Sequence, residues 1–120
     1  MARLVPNTDD TTTNTLYIQG DGGVIANYNS SYLFCDFSKL TEIENINLLD
    51  TSKVTNMSFM FSYCKSLTSL DFRNATFDKV NSYDNMFNST PSTINIITKD
   101  ATTKAWLEDK LGGSGTVVIA

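Results

Sequence analysis

The sequence predicts an α+β repeat fold: a short, right-handed solenoid with a hairpin cap at its N-terminal end and a β-α-β cap at its C-terminal end. Three observations carry this. Phe34, Phe61 and Phe87 recur at separations of 27 and 26 residues when the chain is slid along itself, a period at which one repeat forms one turn of a solenoid. Between them, as in "TSKVTNMSFMFSYCKSLTSL" (Thr51 to Leu70), Ser, Thr and Asn break every helix or strand period after one turn. The 120 residues are 41% hydrophobic and 11% aromatic, enough to fill one modest core.

Taken in order, residues 1–15 contain "VPNTDDTTTNT", a linker composition, and are expected to form an arm with little fixed structure. Residues 16–31 include "LYIQGDGGVIANY", where two β-rich runs flank glycines able to supply the positive φ of a tight turn, so a capping hairpin is expected. Residues 32–96 hold about two and a half coils of the repeat. Leu33, Met60 and Met86 fall in register beside the phenylalanines; so do Leu40 with Leu67, Ile43 with Leu70 and Ile96, and Val54 with Val80. No coil can bury its own apolar face, so equivalent residues stack on successive coils.

The pieces "LTEI", "LTSL" and "TINI" alternate apolar with polar and predict parallel strands roughly 4.8 Å apart. "NMSFMFSYC" and "SYDNMFNST" predict an opposite wall of short helical or 3₁₀ turns. Residues 97–120 predict the second cap, with Asp100 as N-cap, a helix over "ATTKAWLEDKL" ended by Gly112 and Gly113, and "TVVI" as a strand. A strand–helix–strand order predicts a small crossover unit, right-handed as such crossovers are. On the helical wheel Ala101, Ala105, Leu107 and Leu111 share one arc, with Trp106 on its flank.

The net charge of −4, with nine scattered Lys and Arg, argues against a nucleic acid or an anionic membrane as partner. No apolar run approaches the roughly 18 residues that span a bilayer. The N-terminus lacks the apolar core of a signal peptide, so the chain is expected either to act without that export route or to be a segment of a longer exported protein. The chain has no His, which removes Cys/His zinc sites and His-based triads. Cys35 and Cys64 sit beside Phe34 and Phe61 and read as small core hydrophobes with free thiols, a disulfide between them being the alternative. "GDGG" and "GGSG" lack the flanking strand and Lys of a phosphate cradle and read as turns. Asp50, Asp71 and Asp78 at coil corners, and Asp9, Asp10 and Asp21 near the N-terminal cap, read as turn caps rather than a calcium site. No cofactor, metal or catalytic group is expected.

The stretch "LDTSKVTNMSFMFSYCKSLTSLDF" resembles the BspA-like leucine-rich repeat surface proteins of bacteria, whose pattern is Asp-Thr-Ser-x-Val-Thr-Asn-Met-x-x-Met-Phe, a short turn with Cys, then Ser-Leu-Thr-Ser-Leu-Asp. Asp50 to Phe61 and Cys64 to Asp71 follow it. The next repeat departs from it in "ATFDKVNSYDNMF", and Cys64 is matched by Phe37 and Thr90 in the neighbouring coils. The resemblance implies a leucine-rich-repeat-like solenoid with a surface-displayed, adhesive and non-enzymatic role, carried at the cell surface within a longer protein. Candidate contacts for a host protein or glycan are Tyr28, Tyr32, Tyr63, Tyr83 and Trp106, because aromatic and polar surfaces suit adaptable binding. The alternative expectation is a complete small structural protein of a phage particle, such as a decoration, fibre or baseplate component, assembling as a homo-oligomer or on neighbouring subunits. The start at Met1 and the finished C-terminal cap favour that version.

Overall fold

The computed structural model describes residues 2–8, 12–20 and 23–120. In chain order they form β1 (Ala2–Pro6), β2 (Asn14–Ile18), β3 (Val24–Ile25), β4 (Leu40–Glu44), a 3₁₀ turn (Ile46–Leu48), β5 (Leu49–Asp50), β6 (Ser69–Phe72), β7 (Asn95–Thr98), α1 (Ala101–Leu111) and β8 (Thr116–Ile119). One sheet runs β1-β2-β4-β6-β7-β8 and a second pairs β3 with β5. β2, β4 and β6 each open one coil, so the chain is a β-solenoid of about three turns with one short helix.

The N-terminal end differs from expectation. β2 and β3 do not form a hairpin: β2 pairs in parallel with β4, and β3 in parallel with β5, so residues 14–20 and 23–38 belong to a first coil. The hairpin lies earlier, where β1 runs antiparallel to β2. Part of the expected linker is therefore paired structure. Its polar residues are fixed by a side-chain network: Asn7 Nδ2 donates to Thr13 Oγ1 (2.7 Å) and Thr41 Oγ1 (3.0 Å), and Thr15 Oγ1 donates to Asn7 Oδ1 (2.6 Å). Of the "GDGG" segment, Asp21 and Gly22 lie outside the described residues, as do Asp9 and Asp10.

The strands from "LTSL" and "TINI" begin two residues late, at Ser69 and Asn95. Leu67 and Ile94 are fully buried, but their N–H groups close turns on the carbonyls of Cys64 and Pro91. The core stack follows the period. The Phe34 and Phe61 rings lie parallel with centroids 5.4 Å apart, and the Phe61 and Phe87 rings 5.5 Å apart. Leu70 pairs with Ile96 across β6 and β7. Leu33 is the exception in its column, 45% exposed where Met60 and Met86 are buried, because it stands in the outermost coil.

Opposite the main sheet, residues 31–36, 58–63 and 84–89 are hydrogen-bonded turns, and the expected 3₁₀ geometry is found instead at Ile46–Leu48. The reason is where the N–H groups go. Alternate ones close turns within their coil, as from Met60 to Met57 O and from Cys64 to Phe61 O. The others leave the coil: Ser30, Tyr32, Phe34 and Asp36 donate to the carbonyls of Asn56, Ser58, Met60 and Ser62. One coil on, Met57, Phe59, Phe61 and Tyr63 donate to Ser82, Asp84, Met86 and Asn88, at 2.7 to 2.9 Å. A continuous 3₁₀ segment would spend those donors internally. The turns instead take left-handed residues, stacked in two columns, Tyr32–Phe59–Asn85 and Asp36–Tyr63–Ser89.

The repeat motif has a physical reading at each position. Asp50 accepts from the Ser52 N–H (2.9 Å), and hydrogen bonds from Ser52 hold its carboxyl below the usual range. The buried Thr51 hydroxyl donates to Thr76 O and accepts from Thr76 N–H, tying the second coil to the third. Val54, Met57, Met60 and Phe61 are fully buried, and Asn56 caps the Ser58 N–H (2.9 Å).

At the C-terminal end β7, α1 and β8 occur in the expected order, with β8 parallel to β7. Asp100 caps the helix by accepting from the Thr103 N–H, which holds its carboxyl below the usual range, and Gly112 ends it at φ 63°. The buried face is Thr103, Leu107 and Leu111; Ala101 and Ala105 face solvent, so the predicted arc is rotated. Thr103 accounts for the rotation, since its hydroxyl accepts from Thr98 Oγ1 of β7 (2.6 Å) and pulls that side of the helix onto the sheet.

Cys35 and Cys64 are both free thiols. Burial pushes the Cys64 thiol up to about 11, and its Sγ donates to Phe34 O (2.9 Å). Cys35 is half-buried, its thiol raised by desolvation and then by Asp36. Because the thiolate is the reactive form, iodoacetamide at neutral pH is expected to label native Cys35 slowly and Cys64 only after unfolding, as peptide mass mapping over time would show. Equal native labelling of the two would contradict the packing of Cys64.

Candidate binding face

The solenoid projects aromatic rings from its turn wall because left-handed backbone there directs side chains out of the coil. Tyr32 and Tyr63 both take positive φ (61°), a conformation that costs a non-glycine residue about 1–2 kcal/mol and persists only where surrounding hydrogen bonds over-determine it. Here the inter-coil N–H bonds of both residues do so. Tyr32 lies flat on Phe59, with centroids 4.8 Å apart and planes 4° from parallel. Tyr63 stands beside Lys65, whose Nζ is 5.9 Å from the ring centroid. Tyr28, at the entrance to the wall, is 68% exposed while its carbonyl accepts from the N–H groups of Thr55 and Asn56.

The structure divides the five candidate contacts into two groups. Tyr28, Tyr32 and Tyr63 belong to the wall of the first two coils. Tyr83 and Trp106 form a separate cluster at the C-terminal end. Trp106 is half-buried and lies flat on Phe77 (4.3 Å, 5°), while Tyr83 meets it edge-on at 6.2 Å. Lys110 Nζ sits 3.7 Å from the Tyr83 centroid and 5.0 Å from that of Trp106, and bonds to Asp109 at 2.8 Å. Tyr83 occupies the position of Met57 one coil earlier, set by the Asn56–Ser82 bridge. The departure from the repeat motif is thus explained by the cap, since a last-coil residue facing α1 has a ring and an ammonium group to meet.

Sequence reasoning missed Phe59, Phe77 and Lys110. Phe59 was accessible from the period, standing 27 residues after Tyr32. Phe77 had no such signal because the residue one period earlier is Thr51, and Lys110 had none because the cap does not repeat.

A groove of about 520 Å³ runs between Tyr83–Thr90 and the Asp109–Leu111 turn of α1 with Ser114. Asp71 is engaged by the Arg73 guanidinium (2.9 Å) and Asp78 is exposed. Among the described residues no group of three or more His, Cys, Asp or Glu is placed to hold a metal ion, and no helix is long and apolar enough to cross a membrane.

No curated protein and no solved structure matches the chain. The family described as "Mycoplasma protein of unknown function, DUF285" matches residues 25–106, from β3 to the Trp106 cluster. That span takes in most of the solenoid and more than half of the chain, so the chain belongs to the DUF285 family.

Proposed function

We propose that this chain is a non-enzymatic binding module of a BspA-like, leucine-rich-repeat-like surface protein, displayed within a longer polypeptide to contact a host protein or glycan. The observation that carries the proposal is the ring face of Tyr28, Tyr32, Phe59 and Tyr63, held outward on a wall fixed by inter-coil hydrogen bonds. Rigid aromatics contact a partner at low entropic cost, and neighbouring Ser and Asn side chains supply hydrogen bonds. Saccharide rings and polar peptide surfaces both suit such a face.

The test is binding of the labelled chain to a mammalian glycan array and to intact epithelial cells, compared with a Tyr32→Ser/Tyr63→Ser variant of unchanged circular dichroism. A loss of signal of about tenfold or more, the scale of removing a hot-spot ring, supports the reading. Equal binding by the variant, or no binding of the parent chain to either probe, rejects it. A second reading, a structural component of a phage particle, draws on the half-buried Trp106 and its Tyr83–Lys110 cluster as a subunit contact. Under it the chain ignores both probes, and Trp106→Ala dissolves a stable oligomer.

A further inference from the structure

The inter-coil hydrogen-bond row that builds the turn wall stops with its donors open. In the first two coils, four N–H groups apiece find carbonyls on the next coil. The equivalent groups of the last coil are those of Tyr83, Asn85, Phe87 and Ser89, and among the described residues they have no acceptor. Their residues line the groove beside the last turn of α1. At the other end the first coil presents the complementary row, because the carbonyls of Asn29, Ser31, Leu33 and Cys35 stand where those of Asn56, Ser58, Met60 and Ser62 accept one coil later, and receive no donor among the described residues. The caps pair with the main sheet at both ends, with β1 on β2 and β8 on β7, and α1 flanks the last coil of the wall at Tyr83 without accepting from its open N–H row.

Unpaired rows of backbone donors and acceptors are templates for pairing with another chain. We propose that the turn wall is a head-to-tail self-association surface: the last coil of one copy receives the first-coil wall, Asn29 to Phe37, of a second copy. The occupant is fixed by complementarity on the chain itself. The free carbonyls at the head match in number, and in alternate-residue placement along the chain, those that the equivalent donors of the inner coils meet. The head also carries Leu33 and Phe37, 45% and 40% exposed, whereas Met60, in Leu33's column one coil on, is buried once another coil covers it. Such a contact is heterologous, with different surfaces on the two copies, so it propagates into open chains or closes into rings. This inference does not rest on what the aromatic face binds, although the head surface includes Tyr32 of that face.

Two variants test it with the full chain. Leu33→Glu blocks the head and Asn88→Glu blocks the tail; both positions are exposed, so both variants are expected to fold with unchanged circular dichroism. In sedimentation velocity from micromolar to millimolar concentration, the parent chain is expected to grow in mass, and each variant alone to remain a 13.3 kDa monomer. Their equimolar mixture is expected to form a species of twice that mass and nothing larger, because one intact head meets one intact tail. In the associated parent chain, amide exchange at Asn85, Phe87 and Ser89 is expected to slow. A parent chain that stays monomeric, variants that associate as the parent does, or a mixture that does not dimerise overturns the proposal. A groove that takes a foreign extended peptide while the parent chain remains monomeric also overturns it.

Discussion

Replacing Phe61 with alanine is expected to lower the free energy of unfolding by about 3–5 kcal/mol, the cost of deleting a buried phenylalanine from a core that cannot fully collapse. The geometry places the effect at the upper end. Phe61 is fully buried between the parallel rings of Phe34 and Phe87, and tilts against Phe72 at 5.9 Å. Its removal takes away three ring contacts, each worth about 0.5–1.5 kcal/mol beyond area, and separates the first coil from the last. A domain of this size has a total stability of about 5–15 kcal/mol, so the substitution consumes much of it. Lys53→Ala, on an exposed turn, is expected to fall within about 0.5 kcal/mol of the parent chain. Urea denaturation followed by circular dichroism measures both. Equal midpoints for the two variants would mean that the ring stack does not hold the coils together.

How much of this was legible in the sequence depended on whether a feature repeats. The phenylalanine stack, the Ile43–Leu70–Ile96 column and the Met60–Met86 pair recur one period apart, so self-comparison of the chain located them. The helix start at Asp100 and stop at Gly112 were legible for a different reason, since capping chemistry is local. Features made once were not. The β1–β2 pairing involves Val5, Pro6, Asn14 and Thr15 of "VPNTDDTTTNT", a stretch with no hydrophobic period; what ties Asn7 in place is its side-chain network, and those partners lie up to 34 residues away in sequence. The position of the N-terminal cap was misplaced for the same reason, because the β-rich runs around "GDGG" belong to two different sheets. In the turn wall, the apolar spacing of Met57, Met60 and Phe61 fits a helical turn as well as it fits the observed geometry. The deciding quantity was the destination of the N–H groups, a contact between coils that no local pattern encodes. Of the candidate contacts, the tyrosines of the first two coils share a wall although they stand at different phases of the repeat, Tyr32 in the column of Phe59 and Tyr63 in that of Asp36, whereas Tyr83 and Trp106 met only when the cap folded back.

The same division predicts where glycine is indispensable. Gly115→Ala is expected to cost about 2–5 kcal/mol, from a left-handed backbone at φ 72° (about 1–2 kcal/mol for any other residue) and from overpacking (about 1–3 kcal/mol). A Cβ there would stand 2.6 Å from Ile94 Cγ2 and 2.9 Å from the Ile94 carbonyl oxygen. That carbonyl is already committed to the Thr116 N–H (2.9 Å), the bond that starts β8 on the edge of β7. Backbone cannot retreat as a side-chain tip would, so the strand must shift and Val117 must lift from the core. Gly113 supplies the control, with φ 91° and nothing within 4 Å of an added Cβ. Gly113→Ala therefore carries the conformational penalty alone, about 1–2 kcal/mol. The difference between the two midpoints in thermal or urea unfolding isolates the contact with Ile94. If the variants are equally destabilised, β8 does not close on Ile94 as described, and the C-terminal cap is held by α1 alone.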